Sequence, residues 1–310
     1  MIKQNSILIL DFGSQYTQLI ARRIREANVY SEIHPHTFSL GDIKSLNPSG
    51  IILSGGPMSV YDEGAPHIDK EIFNLGIPVL GVCYGLQLIA NNFNGKVEPA
   101  EDREYGKANL KIIRNSKILN NVSENSVVWM SHGDLITKVP DGFTIDAETS
   151  NTPICVLSNE DSDVFGLQFH PEVAHSEDGN RIIKNFLFDI CKVEADWTPS
   201  NFISSSIENI KNLVGDKKVI CALSGGVDSS VAAILMHEAI GENLICIHID
   251  SGMMRKNESS DIVKMFEDSY SLNLISVDAS EKFISRLSGV FEPEKKRKII
   301  GNTFIEVFEE

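Results

Sequence analysis

Short apolar runs alternate with amphipathic stretches along most of the chain, a pattern that predicts repeated strand–helix–strand units. Ser6 to Leu10 predicts a buried strand and Gln15 to Ala27 a helix. Ile51 to Leu53 and Pro78 to Val82 predict two further strands, and a helix from Tyr84 to Phe93 follows the second directly. Such runs suit a mostly parallel sheet covered by helices on both faces. From about Tyr105 to Gln168 short strands dominate, so an antiparallel extension or edge on the first sheet is expected, and a helix from about Asp178 to Cys191 closes the domain. The segment Asp196-Trp197-Thr198-Pro199-Ser200-Asn201 breaks the periodicity and reads as a linker. Alternation then restarts, with strands at Lys218–Leu223, Leu244–Ile249 and Leu274–Val277, helices at Asp228–Ile240 and Glu258–Ser269, and a long helical pattern from about Pro293. The fold class is therefore α/β, with two doubly wound, mostly parallel-sheet domains. Residues 1–195 form the first, with the antiparallel extension; residues 196–206 form the linker; residues 207–310 form the second, which is expected to be incomplete. No internal repeat or low-complexity segment is present.

A length of 310 residues suits two domains of ordinary size. The net charge of −15 lacks the basic footprint that nucleic-acid polymers or anionic membranes require, although one nucleotide phosphate needs only local donors. Asp11 ends the apolar run after Lys3, so no secretory leader is read, and no apolar stretch approaches a membrane-spanning length. Cys83, Cys155, Cys191, Cys221 and Cys246 are odd in number, scattered and without a CxxC pair. That pattern favours reduced thiols in a cytoplasm over a disulfide framework or a zinc site.

Cys83 stands where the strand Pro78–Val82 meets a helix, with Gly81 and Gly85 two residues away on each side. Small flanking residues permit a strained turn that exposes a nucleophile, and a helix N-terminus favours thiolate over thiol. A buried apolar cysteine is the plainer alternative. A nucleophilic cysteine needs a base. His170 ends the run Phe165-Gly166-Leu167-Gln168-Phe169, and Glu172 follows at a spacing that lets a carboxylate orient the imidazole. Taken alone, His170 reads equally well as a strand-end histidine with a structural hydrogen bond; taken with Cys83, the catalytic reading is preferred. The loop Ser54-Gly55-Gly56-Pro57 offers either backbone donors for an oxyanion or a simple tight turn.

The pattern Gly81-x-Cys83-x-Gly85-x-Gln87 with Phe169-His170-Pro171-Glu172 resembles the class I glutamine amidotransferases over roughly residues 5–192. That resemblance implies Cys83 as nucleophile, His170 as base, Glu172 as its orienting carboxylate, and the backbone amides of Gly56 and Tyr84 as the oxyanion hole. It further implies hydrolysis of glutamine through a glutamyl thioester. Asp11-Phe12-Gly13-Ser14-Gln15-Tyr16 and Trp129-Met130-Ser131-His132-Gly133-Asp134 resemble the versions found in the GMP synthetase family, with Gln87, Ser131 and His132 lining the glutamine pocket.

After the strand Val219–Leu223 comes Ser224-Gly225-Gly226-Val227-Asp228-Ser229-Ser230 and then a helix. Turn glycines, serine hydroxyls and a helix N-terminus together supply donors for an anion. This is not the GxxxxGK[ST] phosphate loop, and a glycine-rich turn with a capping aspartate is the plain alternative. It resembles the SGGxDS loop of the N-type ATP pyrophosphatases, which implies ATP binding by residues 224–230, with Asp228 helping to hold Mg²⁺. By the same resemblance Met254 lies near adenine; a core-facing Met253–Met254 pair is the alternative. The basic run Glu294–Lys298 reads as a solvated helix face.

Together the resemblances imply GMP formation from XMP, Mg-ATP and glutamine, a homodimer for the full-length protein and no tightly bound organic cofactor. They also imply a longer protein, because the chain ends inside what resembles the ATP domain. Residues 207–310 are accordingly expected to be marginally stable. Three other readings stay open: a glutaminase feeding an NAD synthetase-like ligase, a free-standing glutaminase with a docking platform, and a non-catalytic glutamine- or nucleotide-binding module.

Overall fold

The computed structural model describes residues 5–310, in two compact units that divide between Trp197 and Thr198. In the first unit, β1 (Ser6–Asp11), α1 (Thr17–Glu26), β2 (Tyr30–Pro35), α2 (Leu40–Leu46), β3 (Gly50–Leu53), β4 (Val79–Val82) and α3 (Tyr84–Asn92) come first. Then follow β5 (Lys96–Asn109), β6 (Lys111–Ile112), β7 (Val127–Lys138), β8 (Thr144–Glu148), β9 (Val156–Asn159), β10 (Val164–Leu167) and α4 (Gly179–Lys184). An eight-stranded sheet runs β2-β1-β3-β4-β10-β9-β8-β6. It is parallel from β2 through β10 and antiparallel from β9 outward, which is the expected edge extension. β5 and β7 form a separate antiparallel ribbon whose register shifts between Pro99 and Glu104, beside the proline that lacks a ladder N–H.

Strand composition explains the layering. β1, β3 and β4 are buried on both faces, and alternate residues point to opposite layers. Ile7, Ile9, Ile52, Leu80 and Val82 pack with Ile20 and Ile24 of α1, while Leu8, Leu10, Ile51, Leu53 and Val79 pack with Leu86 and Ile89 of α3. The expected closing helix is α-helical over Gly179–Lys184 and widens to a π-helix over Asn185–Ile190. There Phe186, Leu187 and Ile190 are buried, and Asn185 donates to the carbonyls of Ile118 and Asn120.

The second unit contains α5 (Pro199–Val214), β11 (Val219–Ala222), α6 (Val227–Ile240), β12 (Leu244–Asp250), α7 (Glu258–Tyr270), β13 (Leu274–Asp278), α8 (Ser280–Leu287) and α9 (Pro293–Glu309). Its parallel sheet runs β11-β12-β13. Leu244 and Cys246 of β12 face a cluster with Ala233 of α6 and Phe266 of α7, whereas Ile249 faces Phe283 of α8 and Val307 of α9, so helices cover both faces. The stretch read as a linker, residues 196–206, is helical from Pro199 onward. Thr198 accepts a hydrogen bond from the Asn201 amide at 3.2 Å and proline occupies the first turn, so the broken periodicity was a helix start.

Candidate active site

Cys83 sits between β4 and α3 with φ +53° and ψ −104°, a conformation costly for any residue with a Cβ. Its own N–H donates to Leu167 O at 2.7 Å, and Gly85 N–H donates to Ser54 O at 3.1 Å, so neighbouring strands hold the turn in place. A Cβ on Gly85 would collide with the Leu53 carbonyl oxygen, which explains the small residue there. The turn therefore lifts the cysteine side chain off the carboxyl edge of the parallel strands.

β10 brings His170 to the same edge. Its N–H donates to Trp129 O at 3.0 Å and its carbonyl accepts from Ser176 Oγ at 2.6 Å. Its Nδ1 lies 2.8 Å from Glu172 Oε1, and both side chains are buried. A carboxylate accepts, so Nδ1 carries the proton and Nε2 is the nitrogen left for chemistry. Burial alone would push the imidazole down, but hydrogen bonds to Cys83 and Glu172 and their charges outweigh it, raising the pKa to about 10. Arg23 of α1 donates to the Glu172 carbonyl at 2.9 Å, and the Tyr16 ring meets His170 edge-on at 5.0 Å.

A cleft of about 660 Å³ opens over this pair, and Cys83, Tyr84, Gln87, Gly56, Ser131, His132 and His170 all line it. Glu172 stands behind His170. Gly56 is packed so closely that a Cβ would lie 2.9 Å from Phe12 O and 3.2 Å from the Tyr84 ring. Gln87 Nε2 reaches Asp134 O at 3.5 Å. Ser131 presents its carbonyl to Cys83 Sγ at 3.6 Å. His132 lies at the cleft with its ring turned to the protein: Nδ1 donates to Asp134 O at 2.9 Å, while Nε2 faces Glu104 and Thr152, each at 3.4 Å. Burial, only partly offset by the Asp134 carbonyl and Glu104, lowers its pKa, so this imidazole is neutral at pH 7.

Asp134, which closes the Trp129–Asp134 motif, also lines the cleft, together with Ser59, Tyr61 and Arg103, which carry no local sequence signal. The Asp134 carboxylate accepts from both Ser59 and Tyr61, which come from the loop before β4. Arg103 of β5 lies beside Gly133. The cleft thus carries a carboxylate and a guanidinium in addition to the Cys83 thiol.

In the second unit Ser224, Gly225 and Gly226 fall in the turn between β11 and α6, and Val227–Ser230 begin α6. Gly225 takes φ +82° and leaves no room for a Cβ beside Ile262; Gly226 is the cap of α6. Ser224 Oγ and Ser229 Oγ lie 3.0 Å apart, and Ser229 and Ser230 donate to Gly226 O. Val227 is 78% exposed and Asp228 lies in the exposed first turn of α6. His248 of β12 braces the loop from below, its Nδ1 donating to Leu223 O at 2.8 Å and its Nε2 lying 2.7 Å from Ser259 Oγ. Met254 packs against the α6/α7 side of the core and Met253 is exposed. Among the described residues, no three His, Cys, Asp or Glu side chains gather to hold a metal.

A cysteine raised on a strained turn above a parallel sheet, facing a histidine–carboxylate pair, is the arrangement of an α/β enzyme with a thiol nucleophile. The chain belongs to the class-I glutamine amidotransferase family, whose profile matches residues 8–190. The NAD synthase family profile matches residues 200–303. Proteins named GMP synthase [glutamine-hydrolyzing] from Bacillus cereus (strain G9842) and Bacillus mycoides (strain KBAB4) are each 56% identical over 308 residues. Those alignments cover 99% of this chain and 60% of each relative, so the chain spans about three fifths of their length. The crystal structure of a candidate GMP synthase component from Thermoplasma acidophilum superposes with a TM-score of 0.54 at 30% identity, covering 61% of this chain and 95% of that one.

Proposed function

We propose that the first unit hydrolyses L-glutamine at Cys83 and that the second takes part in ATP-dependent amination of XMP to GMP. The observation that carries the first half is that Cys83 and His170 line one cleft, with Glu172 buried behind the imidazole. The Cys83 sulfur attacks the side-chain amide carbon of glutamine and forms a C–S bond. His170 Nε2 passes a proton to the departing nitrogen, which leaves as ammonia. Water, deprotonated by the same nitrogen, then cleaves the thioester and releases glutamate. Backbone N–H groups of Gly56 and Tyr84 are the donors available to the oxyanion. Gln87, Ser131 and the ribbon fixed by His132 bound the substrate, whose zwitterionic end suits Asp134 and Arg103.

In the second unit, residues Ser224–Ser230 offer backbone and hydroxyl donors to the ATP phosphates, and Asp228 supplies a hard oxygen ligand for the Mg²⁺ that accompanies them. Adenylation of XMP would turn its C2 oxygen into a leaving group, and ammonia would displace AMP. The GMP synthase names of relatives matching both units support XMP as the acceptor. The NAD synthase profile over residues 200–303 supports a carboxyl-bearing dinucleotide as a second reading.

GMP formation should be assayed with XMP, Mg-ATP and either glutamine or ammonium, in the native chain and in Cys83→Ala. Product from both donors, with only the glutamine reaction lost in the variant, supports the complete reading. Cys83-dependent glutamate release without GMP supports the glutaminase half alone. Amination of nicotinate adenine dinucleotide in place of XMP would favour the second acceptor.

A further inference from the structure

Gln168 lies between Leu167, which ends β10, and the Phe169–His170 segment, and its side chain is wholly buried. Its backbone N–H is spent on Cys155 O at 2.8 Å. Its carboxamide nitrogen Nε2 lies 3.8 Å from Cys83 Sγ, and its Oε1 has no partner among the described residues. A buried carboxamide half-satisfied at the edge of a reacting sulfur calls for a reason beyond packing, since an isosteric apolar side chain would avoid the desolvation cost.

The neighbours of the sulfur supply one. Ser131 O lies 3.6 Å away and suits a thiol, because a carbonyl oxygen accepts the S–H proton and repels the negative sulfur left behind. His170 takes that proton but offers its charge from one side. We propose that Gln168 is a further catalytic residue: its Nε2–H donates to the Cys83 thiolate and offsets the Ser131 carbonyl. This inference rests on Cys83 being the nucleophile. When the S–H proton passes to His170 Nε2, the sulfur keeps the electron pair and its charge faces the carboxamide N–H. When that pair forms the C–S bond to the glutamine amide carbon, the sulfur loses its charge and the N–H···S hydrogen bond slackens. It re-forms when water releases glutamate.

The reverse amide orientation is less satisfactory on two counts. It would set an acceptor against the thiolate and leave two N–H donors where no acceptor stands, and buried donors without partners are rarer than bare carbonyl oxygens.

Gln168→Met keeps the length of the side chain and removes the donor; Gln168→Glu keeps the shape and replaces the donor with an acceptor. The readouts are the rate of Cys83 alkylation by iodoacetamide at neutral pH, kcat and KM for glutamine hydrolysis, and thermal melting to confirm folding. A donor to the thiolate predicts that alkylation and kcat both fall about tenfold or more, the size of one hydrogen bond to a charged group, with KM changed less than about threefold. Should Gln168→Met not fold, Gln168→Glu answers the same question. Alkylation within about twofold of the native rate in either folded variant overturns the proposal and leaves Gln168 a space-filling residue. Native Cys83 that alkylates slowly and without protection by glutamine overturns the nucleophile reading itself, a result distinct from a native enzyme that behaves as expected beside unaffected variants.

Discussion

Cys83 holds a backbone conformation that L-residues avoid, at the turn between β4 and α3. Strain of that kind costs on the order of 1–3 kcal/mol. Glycine relieves it but loses more chain entropy on folding, by roughly 0.5–1 kcal/mol. Cys83→Gly is therefore expected to be more stable than Cys83→Ala by about 1 kcal/mol in urea denaturation; equal or lower stability would argue against strain at the turn. His170 gives a second test. Its pKa is raised from 6.5 to about 10, so the stability that its protonated form contributes is complete below pH 6.5 and is lost as pH rises through about 10. Glutamine hydrolysis should hold through mildly alkaline pH and fall only as that value is approached. In Glu172→Gln the loss should begin at lower pH, because Cys83 alone is then left to raise His170. An unchanged alkaline limb in that variant would mean that Glu172 does not set the imidazole's protonation. Asp134→Ala should raise KM for glutamine about tenfold or more with a smaller change in kcat, the pattern expected of a group that binds the ammonium end of the substrate.

At the scale of elements, the strands and turns that carry chemistry were the most legible part of the sequence. Val79–Val82, Cys83 and Tyr84–Asn92 read directly as strand, turn and helix because each signal is local: an apolar run, flanking glycines, then helical spacing. The Ser224–Gly226 turn and the start of α6 were legible for the same reason. Pairing over long separations was not. Nothing local announces that Glu104 of β5 faces His132 of β7, or that Ser59 and Tyr61 clasp Asp134. Tyr16 and Gln168 likewise gain their meaning only from the fold that sets them against His170 and Cys83. The linker assignment failed at a helix boundary: Thr-Pro-Ser-Asn is both a loop composition and a capped helix start, and the amphipathic spacing beyond it decides between them. Thr198→Ala removes that cap and should destabilise α5 by about 1 kcal/mol. Amide exchange over residues 201–206 would report it as faster opening; unchanged protection would mean that the cap carries no weight.

The whole molecule divides its stability unevenly. The first unit buries two broad clusters on either side of eight strands, while the second has three strands and two small clusters. Large apolar side chains stay open in the second unit, among them Ile220 at 61% and Phe291 at 88% exposed. Burial at roughly 25 cal/mol per Å² is the main favourable term in folding, so the second unit should melt first, with an early transition that binds a hydrophobic dye. A single coincident transition for both units would contradict this. Among the described residues, no helix is long and apolar enough to cross a membrane.

Covalent trapping reports whether Cys83 is the nucleophile toward a glutamine side chain. The chain should be incubated with 6-diazo-5-oxo-L-norleucine, a glutamine analogue that alkylates the attacking atom, and digested for peptide mass spectrometry. An adduct is expected on Cys83, slowed by added glutamine and absent from Cys83→Ala. Label on Cys155, Cys191, Cys221 or Cys246 with Cys83 unmodified, or no adduct at all, would contradict it.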